Sequence, residues 1–333
     1  MFSQNTLLKI AFNTILGLVL ILIWLQFVDL RVLWQSLSEV SPAAILPVAF
    51  LIITSLGIRA LRLKYFLRPI KQIPFKELFF LNGAALLFNI LIPIRAGEVL
   101  KGIYLNTNFT LPFTKSITWI FLDRFLDFLF VLVAGAILLL VIPTTLSITV
   151  IKVIIVIFAV GLFLAYLMVY QPQLSRKLFN FTKPLLVFDV IKFRMESIFN
   201  YFLESFVVLK RSFKDFGLVF LLTLLAYLSD SLAWYFGFLA LGSSQDLMQM
   251  FLAQLLSALT YLVPAAPGYV GSAEASGILV FSGILGIEVN LASSTTVLNH
   301  IITIITALIF GVISINFLKI NIKAIFRKLS NRA

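Results

Sequence analysis

The chain has 333 residues, 61% of them hydrophobic, a mean hydropathy of +1.08 and a net charge of +12. A soluble domain is nearer half apolar, so the excess calls for a bilayer as solvent and excludes an ordinary soluble enzyme. There is no cysteine and one histidine, which excludes disulfides and thiolate chemistry and disfavours a histidine-built metal site; no cofactor or metal is expected.

The first apolar run, 7–28, ends without a small-residue cleavage site and reads as a retained span, not a removed signal peptide. Further runs at 43–63, 116–142, 147–170, 217–241 and 291–318 each supply the roughly 20 apolar residues that a hydrocarbon core of about 30 Å requires. Two other apolar regions, 77–100 and 247–286, are interrupted. The first carries Asn89 and then Pro93-Ile94-Arg95-Ala96-Gly97-Glu98; the second carries Pro264-Ala265-Ala266-Pro267-Gly268-Tyr269-Val270-Gly271 and then Glu274. Proline removes a backbone donor and glycine loosens the helix, so neither segment can cross as one continuous helix. Irregular backbone at membrane depth persists only around a protein-lined or water-filled cavity, and paired interruptions in two halves point to a transporter's binding site.

Lysine and arginine set the expected orientation. Arg59, Arg62, Lys64, Arg68, Lys71 and Lys76 form one basic stretch, residues 176–214 hold another, and the tail after 318 a third. Placing all three in the cytoplasm leaves Arg31 and Lys152 near the opposite face, the usual positive-inside bias, which also accounts for the net charge without nucleic acid. Parity then makes each interrupted region a re-entrant hairpin, the two entering from opposite faces. The expected architecture is an all-α integral membrane protein with six full spans and two opposed re-entrant helical hairpins, related as a pseudo-inverted repeat. It is read as a single polytopic domain. The first half, 1–170, holds the hairpin 77–114; the second half, 217–333, holds the hairpin 247–286. An amphipathic cytoplasmic linker, 171–216, joins them, with aromatics from Leu185 to Val207 at spacings of three and four. Both termini fall in the cytoplasm. Pairs of full crossings in place of the hairpins, including two short spans across 247–286, keep the same parity and stay open as an alternative.

Ionisable residues in apolar surroundings mark the candidate site, because each costs roughly 2.5–3.5 kcal/mol at mid-bilayer unless it faces the interior and finds a partner. Arg95 and Glu98 sit at the first break, where freed backbone and a guanidinium suit a phosphate. Glu274 follows the second break and suits an ammonium group or a pairing with Arg95. We therefore take Arg95, Glu98, Asn89, Pro93, Glu274, Pro264, Gly268 and Gly271 as substrate-binding candidates. Asp123, Arg124 and Asp127 form an acid–base–acid cluster on one helix face and, with Asp230, Arg59 and Arg62, make a gating or structural charge network. His300, beside Asn299, has no acid near it in sequence and reads as a polar contact between helices. No phosphate-binding glycine loop, nucleophile elbow or His-Glu-x-x-His occurs, although paired Asp123 and Asp127 leave an intramembrane acid–base enzyme as a minority reading.

At these motifs a family resemblance emerges. Arg59-Ala60-Leu61-Arg62-Leu63, Asn89 with Pro93 to Glu98, Asp123-Arg124-Phe125-Leu126-Asp127, and Pro264 to Gly268 with Gly271 and Glu274 occur in this order. Together they make the chain resemble the flippase-like membrane domain of lysylphosphatidylglycerol synthases, over essentially its whole length. The resemblance implies handling of a lipid across the cytoplasmic membrane, with aminoacylated phosphatidylglycerol as cargo in the resistance-factor members and hopanoid or polyprenyl-linked lipids in others. It also implies Glu where this chain has Asp123, often Arg where it has Lys101, and an arginine near His300. The chain ends at Ala333 without the soluble aminoacyl-transferase domain, so it is expected to move lipid and not to synthesise it. The expected activity is flippase- or scramblase-like translocation of an anionic or aminoacylated phospholipid or a polyprenyl-linked lipid. The alternatives are a secondary transporter of a polar solute and a subunit that presents lipid to a separate transferase. The expected partner is a membrane lipid, with a separate lipid-modifying transferase or a second copy of the chain as further candidates.

Overall fold

A computed structural model describes residues 4–68, 70–92, 96–182, 196, 199–200, 213–260 and 266–321. Every regular element among them is helical: α1 (Gln4–Trp24), α2 (Leu30–Ser38), α3 (Pro42–Leu67), α4 (Phe75–Leu91), α5 (Ala96–Phe109), α6 (Phe113–Val141) and α7 (Ile148–Tyr170). Then follow α8 (Pro172–Thr182), α9 (Phe213–Ala240), α10 (Leu247–Thr260), α11 (Ser272–Gly277) running on as a π-helical stretch (Ile278–Ile284), and α12 (Val289–Phe317). Five of them, α3, α6, α7, α9 and α12, are long and apolar enough to cross a bilayer, and α1, at 21 residues, has the length of a span.

Helix ends follow local chemistry. Asp29 accepts from the Arg31 and Val32 amides at the start of α2, Ser147 from Val150 at α7, and Glu288 from Asn290 and Leu291 at α12. Ser41 and Pro42 open α3 in the same way. The outer faces are apolar: Val156, Ile157, Val160 and Phe163 of α7 are all exposed. On α12, Ile301, Ile305, Ile309 and Val312 face out while Thr296, Asn299, Thr306 and Ser314 are buried. Apolar outside and polar inside is the arrangement of a helix solvated by lipid.

The two hairpins are present and opposed. Arg62 of α3 bonds Thr223 of α9, Ser55 bonds the Ala226 carbonyl, and Ser229 bonds the Leu51 carbonyl, so partners descend along one helix as they rise along the other. α3 and α9 are thus antiparallel. The α4–α5 hairpin starts from the end of the bundle where α3 stops, and the hairpin of α10 and α11 starts from the end where α9 stops, which is the opposite one. Thr145, in the α6–α7 connection, bonds the carbonyls of Gly283 and Ile284 and so marks the base of the second hairpin. At 17 and 14 residues, α4 and α5 reach about 25 and 21 Å, short of a full crossing. The 3-10 turn of the second hairpin (Pro267–Tyr269) packs on α4, so the two broken segments meet. α4 lies tight against α12, where a Cβ on Gly311 would come within 2.5 Å of Leu87.

α2 is an additional short helix in what had no assigned element. Arg59 and Arg62, counted both in the cytoplasmic basic stretch and in the charge network, belong to the network: Arg62 is fully buried and both are ion-paired within the bundle. The basic stretch after α3 therefore rests on Lys64, Arg68, Lys71 and Lys76. Of the linker aromatics between Leu185 and Val207, Phe199 is described and stacks on Phe179 of α8 at 4.6 Å; the others lie outside the described residues.

Candidate functional site

A cavity of about 430 Å³ lies between the hairpins and the helices that flank them. α3 supplies Ser55 and Arg59 to its wall, α5 Glu98 and Lys101, and α6 Arg124 and Asp127. α9 presents Tyr227, Asp230, Ala233 and Trp234 at spacings of three and four, so one stripe of that helix runs along the chamber. From the second half come Gln254 of α10, Tyr269 of the turn, and Asn299 and His300 of α12. Among the described residues the wall holds three cations (Arg59, Lys101, Arg124) and three carboxylates (Glu98, Asp127, Asp230).

Asp123, Arg124 and Asp127 do cluster, but their anchor is Arg62. Its Nε lies 2.6 Å from Asp123 Oδ1 and its Nη1 2.5 Å from Asp127 Oδ1, with Thr223 Oγ1 at 2.7 Å. Arg124 closes the ring from the cavity side, 2.5 Å from Asp123 Oδ2 and 3.1 Å from Asp127 Oδ2. Two guanidiniums thus share two carboxylates, a charge-balanced square that removes the cost of burying any one of them alone. Arg62 is 0% exposed and holds the square from behind, whereas the Arg124 side chain is 30% exposed and its Nε has no partner among the described residues. One face of the square is therefore structural and the other is open to the chamber.

A second pair bridges α3 and α9. Arg59 meets Asp230 at 2.7 Å, lies over the Tyr227 ring and bonds Ser55. Gln254 extends the chain by donating to Asp230 and accepting from the Trp234 indole at 2.8 Å.

In the first hairpin, Asn89 Oδ1 accepts from the Gly97 amide at 2.8 Å, so this side chain caps the start of α5 from α4 and braces the two limbs. Glu98 pairs with Lys101 at 3.2 Å one turn on. Pro93 and Arg95, at the tip, and Pro264, at the tip of the second, lie outside the described residues.

In the second hairpin Gly268 and Gly271 have φ of 72° and 84°, a left-handed backbone that a side chain disfavours. Gly271 also lies so close to Gly17 of α1 that a Cβ would overlap its carbonyl. Glu274 caps α11 by accepting from the Gly271 amide at 2.7 Å. Its other oxygen lies 2.7 Å from His300 Nδ1, and His300 Nε2 lies 2.6 Å from the Gly268 carbonyl. The partner of Glu274 is thus His300, and it is the acid that the neighbourhood of His300 in the sequence lacks.

Among the polar residues that enter the site without having been assigned to it from sequence are Lys101, Gln254, Asn299 and His300. Lys101 sits three residues after Glu98, a spacing that pairs on a helix and was readable. Asn299 is 6% exposed, and neither atom of its amide has a partner among the described residues. Asn299 lines the cavity, but its amide atoms are inaccessible and pack on α9, where a Cβ on Gly237 would come within 2.3 Å of Nδ2.

The helices, their apolar outer faces and the charged chamber define a multi-pass membrane protein with a polar cavity between broken hairpins. The model of the lysylphosphatidylglycerol synthase TM region matches residues 7–311, and the chain belongs to that family. With that membership comes a membrane, lipid-related role. No curated protein matches the chain.

Proposed function

We propose that the protein translocates a lipid, of flippase or scramblase type, across the cytoplasmic membrane, with the headgroup in the cavity and the acyl tails left in the bilayer. The observation that carries this reading is the cavity itself: about 430 Å³, between two opposed broken hairpins, walled by balanced charge. That volume falls in the range of small-ligand sites, roughly 300–1,000 Å³, and suits a headgroup rather than a whole lipid. Arg124, whose side chain is 30% exposed, and Lys101 suit a phosphate; Glu98, Asp127 and Asp230 suit a cationic substituent. Arg95 at the first tip is a further proposed phosphate ligand. Anionic or aminoacylated phospholipids and polyprenyl-linked lipids are the substrates this wall favours, and both termini are assigned to the cytoplasm. No ATP-binding motif accompanies the site, so direction comes from a gradient, the membrane potential or consumption of the product.

Proteoliposomes carrying a labelled anionic phospholipid test this reading. Movement of the label between leaflets in the presence of the protein, and not in protein-free vesicles, is the expected result. Leaflet asymmetry that persists while a water-soluble headgroup analogue enters the vesicles contradicts it and favours a polar-solute transporter.

A further inference from the structure

His300 raises a question of proton count. A carbonyl oxygen only accepts, so the contact of 2.6 Å with Gly268 requires a proton on Nε2. The opposite nitrogen, Nδ1, faces Glu274 Oε1 at 2.7 Å. An Nε2–H tautomer of neutral imidazole has a lone pair on Nδ1, and a carboxylate has only lone pairs. Two acceptors at that distance repel. The contact is attractive in two arrangements only: imidazolium with carboxylate, or neutral imidazole with carboxylic acid. Both contain one proton more than neutral histidine plus carboxylate. The second Glu274 oxygen keeps its bond from the Gly271 amide in either case.

The site is built into the cavity wall. Gly268, Gly271 and Glu274 belong to the turn and first helical residues of the second hairpin, and that turn is held between Gly17 of α1 and His300 of α12. Tyr269 and Ala273, within the same segment, line the cavity, as does His300. Losing the proton removes the hold on the α12 side while leaving the α1 side in place.

Among the described residues, the surrounding charges do not supply the missing donor. From α11 the facing titratable group is Glu274. α3 turns Arg59 to the cavity, α9 Tyr227 and Asp230, α5 Glu98 and Lys101, α6 Arg124 and Asp127, and the hairpin turn Tyr269; the lining residues from α4 and α10 are not titratable. Arg59 is matched by Asp230, Lys101 by Glu98, and Arg124 by the two aspartates.

We propose that Glu274 and His300 form a proton-binding site on the cavity wall, whose occupancy fastens the second hairpin to α12 and whose release to the cavity as H⁺ frees it. Resting on the lipid-translocation reading, the site makes lipid movement proton-dependent: one proton is taken up when the hairpin closes and given back when it opens.

The chain carries a single histidine, so protein labelled with ¹⁵N-histidine, purified on a histidine-free tag and placed in lipid nanodiscs, reports one imidazole. Nitrogen shifts followed from about pH 5 to 9 are expected to show one step, hydrogen-bonded at Nδ1 and Nε2 on the acid side and with Nδ1 released on the alkaline side. Glu274→Gln keeps the shape and removes the charge, and is expected to weaken proton binding by at least about tenfold. A constant Nδ1 signal across that range, or an unshifted step in Glu274→Gln, overturns the proton site. In proteoliposomes the wild-type lipid rate is expected to change across the same step, and the Glu274→Gln rate to lose that dependence. A pH-independent wild-type rate overturns the coupling. Absence of any lipid movement with the NMR step intact upholds the proton site and contradicts the translocation reading instead.

Discussion

Two kinds of residue share the cavity region, and their partners separate them. Asp123 is 4% exposed and tied to Arg62 behind the wall. Asp123→Asn leaves a fully buried guanidinium with one carboxylate fewer, and breaking such a pair costs about 3–5 kcal/mol. A marked fall in thermal stability in detergent is the expected outcome; an unchanged melting temperature removes Arg62 from its anchoring role. Asn299 belongs to the second kind. Its amide is buried without a partner among the described residues, so Asn299→Ala gives up no internal hydrogen bond and stability is expected to hold or rise slightly. A marked fall in the melting temperature of Asn299→Ala contradicts that reading.

At the scale of elements, the second hairpin is held by close backbone approach as much as by side chains. Gly271→Ala puts a methyl group against the Gly17 carbonyl and strains a residue with φ of 84°, a conformation costing of order 1–3 kcal/mol. A lower melting temperature and loss of lipid movement are expected together; a stable, active Gly271→Ala shows that α1 does not clamp the turn. Both broken segments were legible in the sequence because proline, glycine and charge lie within a few residues of one another, and the spans because apolar length is a local property. The pairings were not. Glu274 and His300 are 26 residues apart and Arg62 and Asp127 are 65 apart, so which charge meets which depends on helix packing, not on spacing. Arg59 and Arg62 were read as topology signals for the same reason: they stand at the end of an apolar run, and nothing local shows that α6 and α9 bring carboxylates to them. Arg124 with Asp127 and Glu98 with Lys101, each three apart on one helix, are pairings that local spacing did contain.

For the whole molecule, the antiparallel packing of α3 and α9 places the hairpin bases at opposite ends of the bundle. Cysteines introduced singly at Lys71 and Lys115 are expected to react with a membrane-impermeant reagent from one side, and those at Gly242 and Asn290 from the other, on a chain with no native cysteine. Opposite labelling within either pair means an odd number of crossings between the two positions and contradicts the re-entrant arrangement.

The account as a whole rests on the chamber between those hairpins receiving a charged headgroup, with Arg124 as the most open of the described cations in its wall. The direct measurement is the rate of labelled anionic phospholipid movement in proteoliposomes containing Arg124→Gln, set beside wild type and beside Lys152→Gln, a change at an exposed position of α7. A charge-assisted hydrogen bond of about 1.5–3 kcal/mol is removed, so a loss of about tenfold or more in Arg124→Gln at preserved fold, with Lys152→Gln at the wild-type rate, is the predicted result. A wild-type rate in folded Arg124→Gln contradicts the account.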